Sequence, residues 1–163
     1  MNIYDDAIQM EKDGEKFYRE LAAKCPEKGL AAILTLLADA EVSHISVFEQ
    51  MKARCAPRVP RCTVLTDTKN IFVRMKEAGE NPAAGASQVD LLRKAQKIEQ
   101  DTRRVYMTRV EQVPEAAQKE IFRKIAAEEQ KHATILGNMI EMVSRPDPGN
   151  WLENAEWHHL EEY

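Results

Sequence analysis

An internal two-fold repeat constrains this chain more than any other feature. Glu11 and Glu41 lie 30 residues apart, and so do Glu99 and Glu129. His44 follows Glu41 by three positions, and His132 follows Glu129 by three. A single offset of 88 superposes the two sets, and it also carries Tyr18 onto Tyr106 and Pro26 onto Pro114. Each copy reads as a helix, a turn proline and a second helix. One Glu on the first helix and Glu-x-x-His on the second, written twice, is what a four-helix bundle needs to hold two metal ions.

The helical reading rests on periodicity. Ile3, Ala7, Met10, Gly14, Phe17 and Leu21 form an apolar stripe that predicts a helix from about Tyr4 to Lys24. Pro26 suits the first position of a second helix, with Glu27 favourable at its positive end. Leu30, Ile33, Leu34, Leu37, Ile45, Phe48 and Met51 continue that helix to about Arg54. Pro57 and Pro60 keep the next stretch irregular. A shorter helix is expected from about Thr68 to Ala78, broken by Gly79, Asn81 and Pro82. The third long helix should start near Ser87 as N-cap and carry Leu91, Leu92, Ala95, Ile98, Val105 and Val110. Pro114 should open the fourth, through Ile121, Phe122, Ile125, Leu136, Met139, Ile140 and Val143, until the prolines of residues 145–149 stop it. The expected architecture is all-α: an antiparallel four-helix bundle over 1–145, made of two hairpins joined by a crossover at about 55–86. A Trp-rich tail over 146–163 follows, and its Trp151, Trp157 and Leu160 are expected to pack on the bundle or across a dimer interface.

Helix arithmetic then places the acidic residues. Glu11 and Glu41 are each 15 residues from Pro26, and Glu99 and Glu129 each 15 from Pro114. At the rise of an α-helix, all four lie about 22 Å from a turn, level with one another. A histidine three positions after a glutamate shares its helix face, and Glu41 and Glu129 follow the stripe residues Leu37 and Ile125 by four. Six polar side chains therefore point into the core at one height. A lone Glu-x-x-His is usually a solvated helix face, but that does not account for two copies with equal spacing from equal turns. Four buried carboxylates without a cation would cost several kcal/mol each, whereas two divalent ions offset their charge. Mixed carboxylate and imidazole donors suit iron or manganese, with zinc as competitor. Glu15 and Glu128 neighbour these residues, but neither has a Glu at the offset of 88, so both are left out of the ligand set. Tyr18 and Tyr106, seven positions after Glu11 and Glu99, would either hydrogen-bond a ligand carboxylate, trap a radical, or serve as core tyrosines. Asp13 and Asp101, which also repeat, face away and read as surface charge.

Composition narrows the partners. A net charge of −4 over 163 residues leaves no basic footprint for nucleic acid. No apolar run approaches a membrane span, and the first residues do not read as a signal peptide. Cys25, Cys55 and Cys62 form no C-x-x-C and fit a reducing cytoplasm, with Cys55 and Cys62 as reduced, inert thiols rather than a disulfide. Arg54, Arg58 and Arg61 read as a solvated basic loop, and the adjacent His158 and His159 as no further metal site.

The segment Glu11-Lys-Asp-Gly14-Glu-Lys-Phe17-Tyr18, taken with Glu41-x-x-His44, Glu99…Tyr106 and Glu129-x-x-His132, resembles the rubrerythrin branch of the ferritin-like di-iron carboxylate proteins over about residues 3 to 143. The resemblance implies a ferritin-like bundle, often a dimer, with two iron ions per chain held by Glu11, Glu41, His44, Glu99, Glu129 and His132. Glu41 and Glu129 would be the bridging candidates, Glu11 and Glu99 terminal or bridging, and the histidines terminal. It further implies reaction with hydrogen peroxide or oxygen, with electrons from an external donor such as rubredoxin. The chain departs from the pattern at Thr102, where the family usually has a further Glu that takes part in the iron movement of efficient peroxide reduction. The paired C-x-x-C motifs of a rubredoxin domain are also not found in this sequence.

Overall fold

The structure is a computed structural model, and it describes residues 2–80, 82 and 85–144. Five helices follow one another: α1 (Ile3–Lys24), α2 (Lys28–Lys52), α3 (Val64–Glu77), α4 (Ala86–Gln112) and α5 (Ala116–Ser144). α1 packs along α2 and α4 along α5, and the two hairpins face each other through α1 with α4 and α2 with α5. α3 belongs to the crossover and lies against α2 and α5. The described residues form an all-helical, ferritin-like bundle. The tail expected to pack on it lies outside the described residues.

Local chemistry sets the helix ends. Asn2 caps α1, its Oδ1 accepting from the backbone N–H of Tyr4 at 2.6 Å and of Asp5 at 3.2 Å. α2 ends with Arg54 in the left-handed region (φ 57°), where Arg54 N–H donates to Met51 O and Cys55 N–H to Gln50 O. α3 ends the same way through Gly79 (φ 68°), whose N–H donates to Lys76 O while Glu80 N–H donates to Met75 O. This is the hydrogen-bond pattern of a Schellman terminus. Several starts differ from expectation. Pro26 and Pro114 precede their helices by two residues instead of opening them, and Ser87 lies inside α4, which is preceded by Gly85. α3 begins four residues early, at Val64, because Val64 and Thr68 are buried.

The core faces are rotated from the simplest apolar stripes. Along α1 the buried residues are Ala7, Ile8, Glu11, Tyr18 and Leu21, and along α4 they are Val89, Leu92, Ala95, Glu99, Tyr106 and Val110. Leu91 and Ile98, expected on the core stripe, are 36% and 38% exposed. The interior register follows the carboxylate and tyrosine positions, and these displace two apolar side chains outward. α2 also corrects the view that no segment approaches a membrane span. It is long and apolar enough by length and composition alone, because it is the most internal helix, and more than half of its apolar window is buried in the bundle.

Two apolar clusters fill the interior. One gathers Leu30, Leu37, Phe72, Ala95, Leu136 and Met139 at the α3 end, and the other Ile8, Phe48, Tyr106, Val110, Phe122 and Ile125 at the opposite end. Along every long helix an acidic residue falls between them: Glu11, Glu41, Glu99 and Glu129. In the second cluster the rings of Phe48, Tyr106 and Phe122 lie 5.3 to 5.8 Å apart. Phe48→Ala should therefore destabilise the metal-free protein by about 3–5 kcal/mol, as for other buried aromatics. The urea midpoint reads this directly, with the slope unchanged.

Candidate metal centre

The two apolar clusters leave a polar layer between them that is almost closed to solvent. Glu11, Glu41, His44, Glu99, Glu129 and His132 are all at most 3% exposed. They form two groups of potential ligand atoms, each spanning no more than 4.8 Å: Glu11, Glu41, His44 and Glu129, and Glu41, Glu99, Glu129 and His132. Glu41 and Glu129 belong to both groups, and the other four belong to one group each. The imidazoles of His44 and His132 stack at 5.7 Å between ring centroids, which is the repeat's two-fold relation expressed in space.

Each histidine turns Nδ1 toward the carboxylates. His44 Nδ1 lies 3.2 Å from Glu11 Oε2 and 3.1 Å from Glu129 Oε1. His132 Nδ1 lies 3.3 Å from Glu41 Oε1 and 3.4 Å from Glu129 Oε2. The tyrosines cross between hairpins: Tyr18 Oη donates to Glu99 Oε1, and Tyr106 Oη donates to Glu11 Oε1. Each phenol thus takes the outer carboxylate oxygen and leaves Oε2 facing an imidazole. Burial, followed by the charge of Glu99 for Tyr18 and of Glu11 for Tyr106, pushes both phenols well above their usual range and keeps them donors. Gly14, one turn beyond Glu11, leaves room for Glu41, whose Oε2 would lie 3.4 Å from a Cβ placed there.

Glu128 enters the site although repeat symmetry argued against it as a ligand. It is not in either ligand group, but its Oε2 lies 2.8 Å from His44 Nε2. That contact fixes the ring from outside and leaves Nδ1 for the interior. The offset of 88 hid this role, because position 40 is Ala and the feature exists on one side only. Its one signal was adjacency to Glu129. Glu15 pairs with Arg19 on the surface, and Asp101 pairs with Arg104 and Lys97 there. The Cys55 and Cys62 thiols are free.

The electrostatics show a cluster short of positive charge. Burial, then repulsion from Glu99 and Glu11, raises Glu129 to about 8. Burial, then Glu129 and Glu11, raises Glu41 well above the carboxylate range. Burial also works on Glu99, but the closeness of Glu129 and His132 and the bond from Tyr18 outweigh it and hold this group at about 2. Glu11 is lowered too, since bonds with Glu41 and the charge of His44 outweigh its burial. Burial would lower both histidines, yet Glu11 and then Glu129 raise His44 well above 6.5, and Cys62 followed by Glu129, Glu41 and Glu99 does the same for His132. Protons thus do the work of cations in the metal-free cluster. Even so, Glu41 Oε1, both Glu129 oxygens and both His132 nitrogens are buried without a hydrogen-bond partner among the described residues. Orphaned hard oxygens and imidazole nitrogens gathered at this spacing fit divalent transition-metal ions.

Two outcomes follow. Glu41, Glu129 and the histidines bind protons more tightly folded than unfolded, so their stabilisation is complete at low pH and lost as pH rises. For Glu129 the window runs from 4.5 through about 8. The metal-free protein should melt at progressively lower temperature across that window, while loading with divalent ions should flatten the slope. Glu99 works in the opposite direction only below 4.5, toward about 2. Separately, Glu129→Ala combined with His132→Ala should abolish tight binding of a second ion in calorimetric titration. Two tightly bound ions after that change would mean the ligand set is wrong.

The sequence matches the rubrerythrin family over residues 2–83 and 90–148. No curated protein and no solved structure matches the chain. The matched segments contain all six clustered residues, both bonded tyrosines and Glu128, and on this span the chain belongs to the rubrerythrin family.

Proposed function

We propose that the protein is a non-haem di-iron oxidoreductase that reduces hydrogen peroxide, with electrons from an external donor such as a rubredoxin. The observation that carries this reading is the pair of buried carboxylate–histidine groups sharing Glu41 and Glu129. Glu11, Glu41, His44 and Glu129 would hold one ion, and Glu41, Glu99, Glu129 and His132 the other. When bound as ferrous iron, the pair supplies the two electrons that convert peroxide and two protons to water.

The chain's own groups set the conditions for that chemistry. The apolar clusters on either side exclude bulk water. Tyr18 and Tyr106 orient Glu99 and Glu11 through their outer oxygens. Glu128 holds the Nε2 proton of His44. A cavity of about 170 Å³, lined by His44, Glu128, Cys62 and Ala40 among others, opens onto this side of the centre. It suits a small oxidant and product water better than a bulky organic substrate. In keeping with this reading, the protein acts in the cytoplasm as a homodimer, in defence against oxidative stress.

A second reading is favoured by Thr102: oxidation of ferrous iron by oxygen, for iron handling. The half-buried Thr102 offers a neutral hydroxyl instead of a carboxylate one turn from Glu99. The test is anaerobic loading with two ferrous ions per chain, followed by stopped-flow oxidation with peroxide and with oxygen in parallel. Much faster oxidation by peroxide is expected. Equal or faster reaction with oxygen would replace the peroxidase reading with the ferroxidase one. Exclusive retention of zinc or manganese, with no redox reaction, would remove both.

A further inference from the structure

The two groups of potential ligands match inside the polar layer and differ outside it. Each holds one unshared glutamate, one histidine and the shared Glu41 and Glu129. Each unshared glutamate also accepts one tyrosine hydroxyl from the other hairpin. Beyond the imidazoles the match ends. His44 faces the carboxylates with Nδ1, and its Nε2 lies 2.8 Å from Glu128 Oε2. The Glu128 side chain is 13% exposed and forms part of the wall of the adjoining cavity. An ion on Nδ1 leaves the ring proton on Nε2, so the imidazole donates and Glu128 accepts. His132 also turns Nδ1 inward, but its Nε2 is buried with no hydrogen-bond partner among the described residues. The repeat offset carries position 128 onto Ala40, which has no polar side-chain atom to offer. Ala40 belongs instead to the apolar cluster that contains Val64 and Leu136.

We propose that the two ion positions are unequal, and that Glu128 makes them so. A carboxylate that accepts from the outer N–H fixes the plane of the ring and makes its inner nitrogen a stronger donor to metal. Only His44 has that support. The position formed by Glu11, Glu41, His44 and Glu129 therefore fills first and empties last. The position formed by Glu41, Glu99, Glu129 and His132 is the exchangeable one, and a chain short of metal holds its single ion on the His44 side. Glu128 acts through the histidine, as a positioning residue. Outer partners of metal-bound histidines typically change metal affinity by about 10- to 100-fold, which sets the size of the gap. This inference rests on the metal-centre reading above but not on its redox chemistry.

Cobalt(II) titration of the reduced, metal-free protein, followed by calorimetry and by NMR of nitrogen-15-labelled histidines, tests it. The wild-type chain should bind two cobalt ions with affinities about 10- to 100-fold apart. The first equivalent should shift the imidazole signals of His44, and the second those of His132. Glu128→Ala should weaken the tighter ion by about 10-fold or more, so that the gap closes and the order of filling is lost. The Nε2–H of His44 should then exchange faster with heavy water, because the cavity reaches it. Glu128→Gln, whose amide oxygen still accepts, should recover part of both effects, which guards against a folding defect in the alanine variant. Glu15→Ala, at a glutamate paired with Arg19 on the surface, should change neither ion. Equal affinities in the wild-type chain, filling of the His132 side first, or an unchanged gap in both Glu128 variants would each overturn the inference while leaving the metal centre intact. Equal weakening of both ions in Glu128→Ala would also overturn it, by making Glu128 a general structural support. Failure of the wild-type chain to bind two cobalt ions would sink this inference and the centre together.

Discussion

Four carboxylates buried at one level of a helical bundle are the constraint on which everything else depends. Their mutual repulsion and loss of hydration oppose folding. The chain answers with every positive or donating group within reach: two imidazoles, two phenols and shared protons. These compensate incompletely, since several oxygens and nitrogens of the layer have no hydrogen-bond partner among the described residues. The layer is thus shaped for cations that can meet several oxygens at once. The apolar clusters above and below serve the same end, because they provide the hydrophobic stabilisation that lets the bundle form around so unfavourable a layer.

Placement of that layer comes from counting. Short turns after α1 and after α4 bring residues equally distant from the turn to equal height, so the level of the site follows from hairpin geometry. Cross-hairpin bonds from Tyr18 to Glu99 and from Tyr106 to Glu11 then fix how the two hairpins meet. Each tyrosine belongs to the apolar cluster on its own side, so the phenols rivet the polar layer to both halves of the core.

The architecture and the six clustered residues were legible in the sequence because periodicity, turn position and duplication all report on the same arrangement. Three features were less legible, each for a physical reason. The starts of α2 and α5 were misplaced by two residues, since a turn proline fixes its own φ but does not oblige the helix to begin there. Leu91 and Ile98 lie outside because the carboxylate and tyrosine positions set the rotation of α4, and apolar spacing alone does not carry that information. Glu128 as an outer partner of His44 is asymmetric. A reading built on symmetry removes such features by construction.

The sharing of Glu41 and Glu129 has an evolutionary consequence. Each hairpin carries three candidate ligands of one group and lends one to the other, so two identical half-length chains related by a two-fold axis would assemble the complete set. Such a dimer could not place an acid on one side and an alanine on the other, because one gene would write both halves. Fusion of the halves into a single chain lifts that restriction. The difference between Glu128 and Ala40 is one that two halves written by the same gene could not carry.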